Sequence, residues 1–352
     1  TGYKVLVGGG MGRTPYIAQV VGEIVEKTDI LAFMEAVLRV YHEQGRRDNI
    51  YKARIKILTN ALGIAEMRRQ VEKEFAEIKA RGSLQVPQEE IDRITAYFAP
   101  PAFETLADGA PKGDKAFEAW ASQNIAKHRA PGYAIATISL KAVGAVPGDA
   151  SADQMDAIAD IMDTYSVGEV RVSHEQNLVL PHVRQQDLPA IFAALQKIDL
   201  ATPNAGLITD IIACPGLDYC DLANARSIPI AQSIARKFED LDRQHDIGEL
   251  KIKISGCINA CGHHHAGHIG ILGVDKKGVE FYQLQLGGSG AEDASIGDIM
   301  GPGFTEHEIA GAVERVVDVY LAQRNSGERF LDTYRRIGMA PFKAAAYEME
   351  AA

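Results

Sequence analysis

"GCINACGHHHAGHIG" (residues 256–270) sets two cysteines and four histidines between glycines in a single short stretch. The segment before it, "ELKIKIS" (249–255), alternates in polarity and reads as a strand, and "HIGILGVD" (268–275) reads as the next one. The cysteines therefore sit at the C-terminal end of a strand, where loops collect ligands. Gly256 and Gly262 bracket the C-x3-C and let backbone approach a bound group closely.

The chain's four cysteines are Cys214, Cys220, Cys257 and Cys261. They form two pairs, C-x5-C ("CPGLDYC") and C-x3-C ("CINAC"), with 36 residues between them. In a cytoplasmic protein disulfides are disfavoured. Structural zinc favours C-x2-C or C-x4-C, and x5 falls outside that range. Four thiolates without redundancy suit a [4Fe–4S] cluster, whose four irons each take one cysteine. Zinc and unligated thiols stay as the lesser alternatives. The loops have a plausible frame: "GLITDIIA" (206–213) reads as a buried strand running into Cys214. "SIPIAQSIARKFEDL" (227–241) reads as a helix with Ser227 as N-cap, Pro229 in the first turn, and Ile230, Ile234 and Phe238 on one face. With four cysteines present, His263, His264, His265 and His268 are not needed as ligands; they read as hydrogen-bonding groups around a tight loop, with proton delivery as the alternative.

Composition is that of a globular protein, 46% hydrophobic and 24% charged over 352 residues, enough for two or three domains. A net charge of −10 argues against a nucleic-acid binder. No run approaches the roughly 18 to 20 apolar residues of a membrane span. The N-terminus carries no basic-then-apolar leader pattern, so the expected location is cytoplasmic. It opens on strand-like residues without an initiator Met, as though cut from something longer. One basic island stands out: Arg39, Arg46, Arg47, Lys52, Arg54 and Lys56 face only Glu43 and Asp48. It reads either as a solvated helix face or as a site for carboxylates. "VGGGMGRTP" (7–15) follows a strand, but its G-x-G-x-G is not the dinucleotide fingerprint, and no Lys-Ser/Thr follows.

Together, the C-x5-C, the spacer, "SGCINACG", "IGILGV" and "QLQLGG" (283–288) resemble the sirohaem-dependent nitrite and sulfite reductases. "KVLVGGGMGRTP" (4–15), "GRRDNIYKARIKILTNALG" (45–63) and "GEVRVSHEQNLVLPHV" (168–183) agree in order, so the resemblance covers roughly residues 1–320. It implies that all four cysteines ligate a [4Fe–4S] cluster and that Cys261 is also the axial ligand of a sirohaem. Asn259 would lie against the macrocycle. Gly8, Gly9, Gly10, Arg13, Lys52 and Arg54 would serve its carboxylates. The reaction implied takes sulfite to sulfide or nitrite to ammonia, with electrons from a ferredoxin or a flavoprotein. The distal Arg and Lys residues belong to an N-terminal half that these residues do not include. No catalytic residue is therefore expected here, Arg171 belongs to the second copy of its motif, and the chain alone is not expected to turn over. An iron–sulfur electron-transfer scaffold without sirohaem is the alternative, and a zinc-stabilised module the third.

The expected fold is α+β. Residues 1–97 form the end of a first pseudo-repeat and 98–128 a linker. A ferredoxin-like half-domain follows at 129–200, with strand 133–140, helix 151–166, hairpin 169–183 and helix 187–198. The [4Fe–4S]/sirohaem domain is expected at 201–322, and a weakly patterned tail packed on the surface at 323–352.

Overall fold

The computed structural model describes residues 2–82, 84–109 and 111–348. The chain divides into two compact units, Thr1–Pro101 and Ala102–Ala352. Its architecture is α+β.

In the first unit β1 (Gly2–Val7) pairs antiparallel with β2 (Gln19–Glu26), and α1 (Ile30–Gln44), α2 (Ile55–Leu62), α3 (Ile64–Arg81) and α4 (Gln88–Tyr97) follow. Helical spacing explains the packing: Ala36, Val37 and Val40 of α1 meet Met67, Val71 and Ile78 of α3 in one apolar cluster. α3 ends where Gly82 turns left-handed, at φ +67°.

The second unit opens with the half-domain. α5 (Lys115–Asn124) and β3 (Ile125–Lys127) precede β4 (Tyr133–Ile138), α6 (Ala152–Tyr165), β5 (Arg171–Val172), β6 (Leu178–Arg184) and α7 (Leu188–Gln196). The sheet order is β3-β4-β6-β5, antiparallel throughout. A capping box between Ser151 and Gln154 starts α6. α5 and β3 lie inside the stretch expected to be a linker. Asp114 caps α5, and Trp120 is wholly buried among Ile138, Leu180 and Phe192. Regular structure thus resumes at residue 115.

The remainder folds around a five-stranded mixed sheet, β11-β10-β9-β8-β7. Its elements are β7 (Ile212–Ala213), α8 (Ile228–Lys237), α9 (Leu241–Ile247), β8 (Ile252–Ser255), β9 (Ile269–Lys276), β10 (Val279–Leu286), β11 (Asp298–Ile299), α10 (Glu306–Gln323), α11 (Phe330–Ile337) and α12 (Met339–Tyr347). β8 lies inside the sheet and pairs in parallel with both β7 and β9. Ile230, Ile234 and Phe238 are fully buried as expected, and Ser227 occupies the N-cap position without a side-chain cap bond.

Three expectations are corrected. The strand expected over 206–213 is confined to 212–213. Upstream, the Gly206 amide donates to Asp210 and the Leu207 amide to the Asn204 carbonyl, folding the buried apolar run into turns. The strand expected from 249 begins at 252. The tail is core rather than surface: Phe330, Tyr334, Phe342 and Ala346 pack into the same apolar cluster as α8 and α10. Gly338 divides it into two short helices, which hides the periodicity; residues 349–352 lie outside the described set.

The half-domain is tied to this sheet by a buried ion pair. Lys141 Nζ stands 2.6 Å from Asp210 Oδ1, with side-chain exposures of 2% and 4%. Asn177 Nδ2 also donates to Asp210, and Lys141 donates to Asn177 Oδ1 and the Glu175 carbonyl. Asp210→Ala leaves a buried ammonium uncompensated and should cost about 3–5 kcal/mol. Lys141→Met combined with Asp210→Leu should recover most of that loss, as read from denaturant midpoints.

Candidate functional site

The two cysteine loops meet backbone to backbone. The Cys214 amide donates to the Ile254 carbonyl, and the Asn224 and Ala225 amides both donate to the Gly256 carbonyl. A Cβ at Gly256 would lie 2.5 Å from the Ala225 carbonyl oxygen and 2.9 Å from Gly216 Cα. At Gly262 it would lie 1.8 Å from the Ile254 oxygen. Neither position has room for a side chain.

Within this frame the Gly256 amide donates to Cys214 Sγ at 3.0 Å, and Ser227 Oγ lies 3.5 Å from the same sulfur. The Cys220 amide donates to the Gly216 carbonyl, closing the C-x5-C turn. Ala260 and His263, flanking Cys261, have φ of +60° and +56°. Two non-glycine residues in that region are strained, and strain of this kind gathers at ligand sites. Cys257 is buried, Cys214 and Cys220 are partly buried, and Cys261 is exposed. Ile258, Asn259 and His263 are exposed beside it.

The four thiols form one electrostatic group. Burial first, then the Cys214, Cys257 and Cys220 thiols, push the Cys261 pKa above its ordinary value. Converging thiolates without a cation repel one another, so this donor set fits a multiply charged metal core. Among the described residues no three His, Cys, Asp or Glu side chains are gathered to hold a single metal ion. A tetrahedral zinc would need its sulfurs roughly 3.8 Å apart; a cubane, with one cysteine on each iron, spreads them further.

The histidines divide. The His265 ring lies 3.2 Å from Gln285 Oε1, and His268 Nδ1 accepts the Lys251 amide at 3.2 Å. His264 departs from the expected hydrogen-bonding role. It is fully buried, neither ring nitrogen has a hydrogen-bond partner among the described residues, and its ring packs 3.9 Å from that of His265. Burial, then His265 and His263, push its pKa down to about 3.

The first unit has its own constellation. Gly8 is buried, and Gly9, Arg13, Lys52 and Arg54 are exposed; none of those three cationic side chains has a hydrogen bond or salt bridge among the described residues. The basic island is otherwise partly self-satisfied: Arg39 pairs with Glu35, Arg46 with Asp48, and Arg47 lies over the Tyr41 ring. Lys56, a member of the island given no site role from sequence, donates to the Met11 and Thr14 carbonyls and pins the glycine loop, which Gly10 and Tyr16 close with reciprocal backbone bonds.

Residues 1–79 and 205–352 match the family described as nitrite and sulphite reductase 4Fe-4S domain, and 136–198 match the nitrite/sulfite reductase ferredoxin-like half domain. A sulfite reductase [ferredoxin] 2 of Mycolicibacterium paratuberculosis is 28% identical over 346 residues, covering 94% of this chain and 55% of that protein. A sulfite reductase [NADPH] hemoprotein beta-component of Methylorubrum extorquens is 26% identical, covering 96% and 51%. The solved structure of the Mycobacterium tuberculosis NirA protein superposes with a TM-score of 0.70 at 25% identity, covering 97% of this chain and 58% of that one. The chain spans about half the length of the curated relatives it matches.

Burial, then Lys251 and Arg329, lower the His268 pKa from 6.5 to about 4. Above pH 6.5 both folded and unfolded states are neutral, and His268 is without effect. Between 6.5 and 4 the unfolded chain binds a proton the folded one refuses, so stability falls with pH by roughly 3 kcal/mol in all. His268→Gln should remove that component, measured as a shallower loss of unfolding free energy from pH 7 to 4.

Proposed function

This chain belongs to the nitrite and sulphite reductase 4Fe-4S domain family, and from that premise we propose that it is the cluster-bearing portion of an enzyme reducing sulfite to sulfide or nitrite to ammonia. The [4Fe–4S] cluster and sirohaem expected from the sequence are the cofactors of that family. Cys214, Cys220, Cys257 and Cys261 would hold the cluster, and Cys261 would hold the sirohaem as well. When bound, the two groups would supply the electrons for reducing the substrate oxyanion.

The observation that carries this reading is the coupling of all four thiols at Cys261, the exposed member of the set. Exposure leaves that sulfur free to face a macrocycle, with Ile258 and Asn259 beside it. The Gly256 amide aimed at Cys214 stabilises negative sulfur and raises the potential at which the site accepts an electron. Gly8, Gly9, Gly10, Arg13, Lys52 and Arg54 serve macrocycle carboxylates. The unpaired state of the three cations supports that role, since Arg39 and Arg46 of the same island pair with carboxylates.

The segments take these roles: 1–97 the end of a first repeat, 98–128 a linker whose last part, from residue 115, folds into the half-domain of 129–200, 201–322 the cofactor domain, and 323–352 a C-terminal tail packed into that domain's core. That one family description matches both 1–79 and 205–352 supports the repeat. The substrate's distal cations come from a preceding N-terminal half, and electrons from a ferredoxin or a flavoprotein. By itself the chain is then incomplete for turnover. A cytoplasmic location follows from the redox chemistry; among the described residues no helix is long and apolar enough to cross a membrane.

Purification without oxygen should yield a chain with iron, acid-labile sulfide and reduced-tetrapyrrole absorption bands. Cys261→Ser should disturb both chromophores together. Iron and sulfide without tetrapyrrole would favour an electron-transfer scaffold; zinc alone in a colourless sample would overturn the proposal.

A further inference from the structure

A strand inside the five-stranded sheet carries a cation that has no partner among the described residues. On β8, Ile252 and Ile254 belong to the apolar core, so alternation sends Lys253 and Ser255 to the opposite face. There Ser255 Oγ accepts the Gly262 amide, which places this face against the loop bearing Cys257 and Cys261. Lys253 is only 7% exposed, and among the described residues its ammonium makes no hydrogen bond and no ion pair.

The anion that acts on it is already engaged: Glu175 attracts it, but that carboxylate is paired with Lys251 at 2.9 Å. Burial, then Lys251, push the Lys253 pKa down, and Lys253 in turn acts on His263 to the same effect. Glycines flank the side chain, tightly at its stem and loosely at its tip. A Cβ at Gly267 would lie 3.1 Å from Lys253 Cβ. A Cβ at Gly290 would lie 4.0 Å from Nζ and 3.8 Å from Ala266 Cβ. A buried cation with no counter-charge is costly to the fold unless a ligand supplies that charge.

We propose that Lys253, approached past Gly290, is an anion subsite that accepts one carboxylate or small oxyanion in a charge-assisted hydrogen bond. Two sources share that chemistry: a peripheral carboxylate of the tetrapyrrole, and the substrate oxyanion. The inference rests on the function proposed above and goes beyond it, because the resemblance assigned carboxylate contacts only to the first unit's cations.

The test compares the full chain with Lys253→Met and Lys253→Arg. Cofactor-free Lys253→Met should melt at the same temperature as the parent or higher, because an uncompensated charge has been removed. Cluster iron and sulfide should be unchanged. If the tetrapyrrole supplies the anion, tetrapyrrole retained per sulfide should fall at least tenfold in Lys253→Met and recover in Lys253→Arg. If the substrate supplies it, retention holds, and the sulfite or nitrite concentration that half-shifts the tetrapyrrole bands should rise at least tenfold. Parent-like retention together with parent-like anion binding would overturn the inference alone. So would a lowered melting temperature of the cofactor-free variant with loss of the cluster, the mark of a merely structural lysine. A parent chain that takes up neither cluster nor tetrapyrrole would remove the preceding proposal and this inference with it.

Discussion

Gly256 rests against Gly216 and the Ala225 carbonyl, and the rest of the cysteine site depends on that contact. The two cysteine pairs are separated by 36 residues of chain, including two full helices, α8 and α9. Only glycine lets the loops after β7 and β8 touch along their backbones, and that contact turns two pairs into one four-thiol group. Gly262, pressed on the Ile254 carbonyl, then folds the C-x3-C back over its own strand. The same closeness sets the site's electrostatics. Burial and the other three thiols raise the affinity of the Cys261 sulfur for its proton, and a cationic metal core would reverse that preference.

A second constraint holds the half-domain hairpin to this frame. Gln176 pairs through both ends of its amide with the Ala213 backbone, immediately before Cys214. Asn177 and Lys141 close on Asp210 next to it, and Glu175 reaches Lys251. The Gln-Asn of the "RVSHEQN" stretch therefore orients the strand that delivers the first cysteine. Its importance lies in positioning, a role compatible with the absence of any assigned catalytic residue in the hairpin.

Much of this was legible in the sequence. Cysteine count and spacing are discrete signals, and strand-loop-strand alternation around Cys257 is strong, so the site's centre could be read directly. The half-domain's βαββα order was legible for the same reason: helix and strand periods differ sharply, and Ser151 marks a start. Buried apolar runs were less informative. "GLITDIIA" is as buried as a strand would be, but hydrogen bonds accepted by the Asp210 carboxylate decide for turns, and periodicity does not register them. In the tail, Gly338 splits the pattern before either helix completes a readable repeat, so Phe330 and Phe342 did not announce a core. Lys56 and Lys253 were out of reach in a different way. Sequence shows a lysine; whether its ammonium holds backbone carbonyls or stands alone in the interior is a property of packing.

The shared Cys261 sulfur is the central claim, and a ⁵⁷Fe Mössbauer spectrum of the anaerobically purified chain tests it most directly. A bridging thiolate should give one iron beyond the four of the cluster, with that iron and the cluster irons showing common, exchange-coupled magnetic splitting. A cluster spectrum beside an independent haem iron, with no coupling between them, would contradict it.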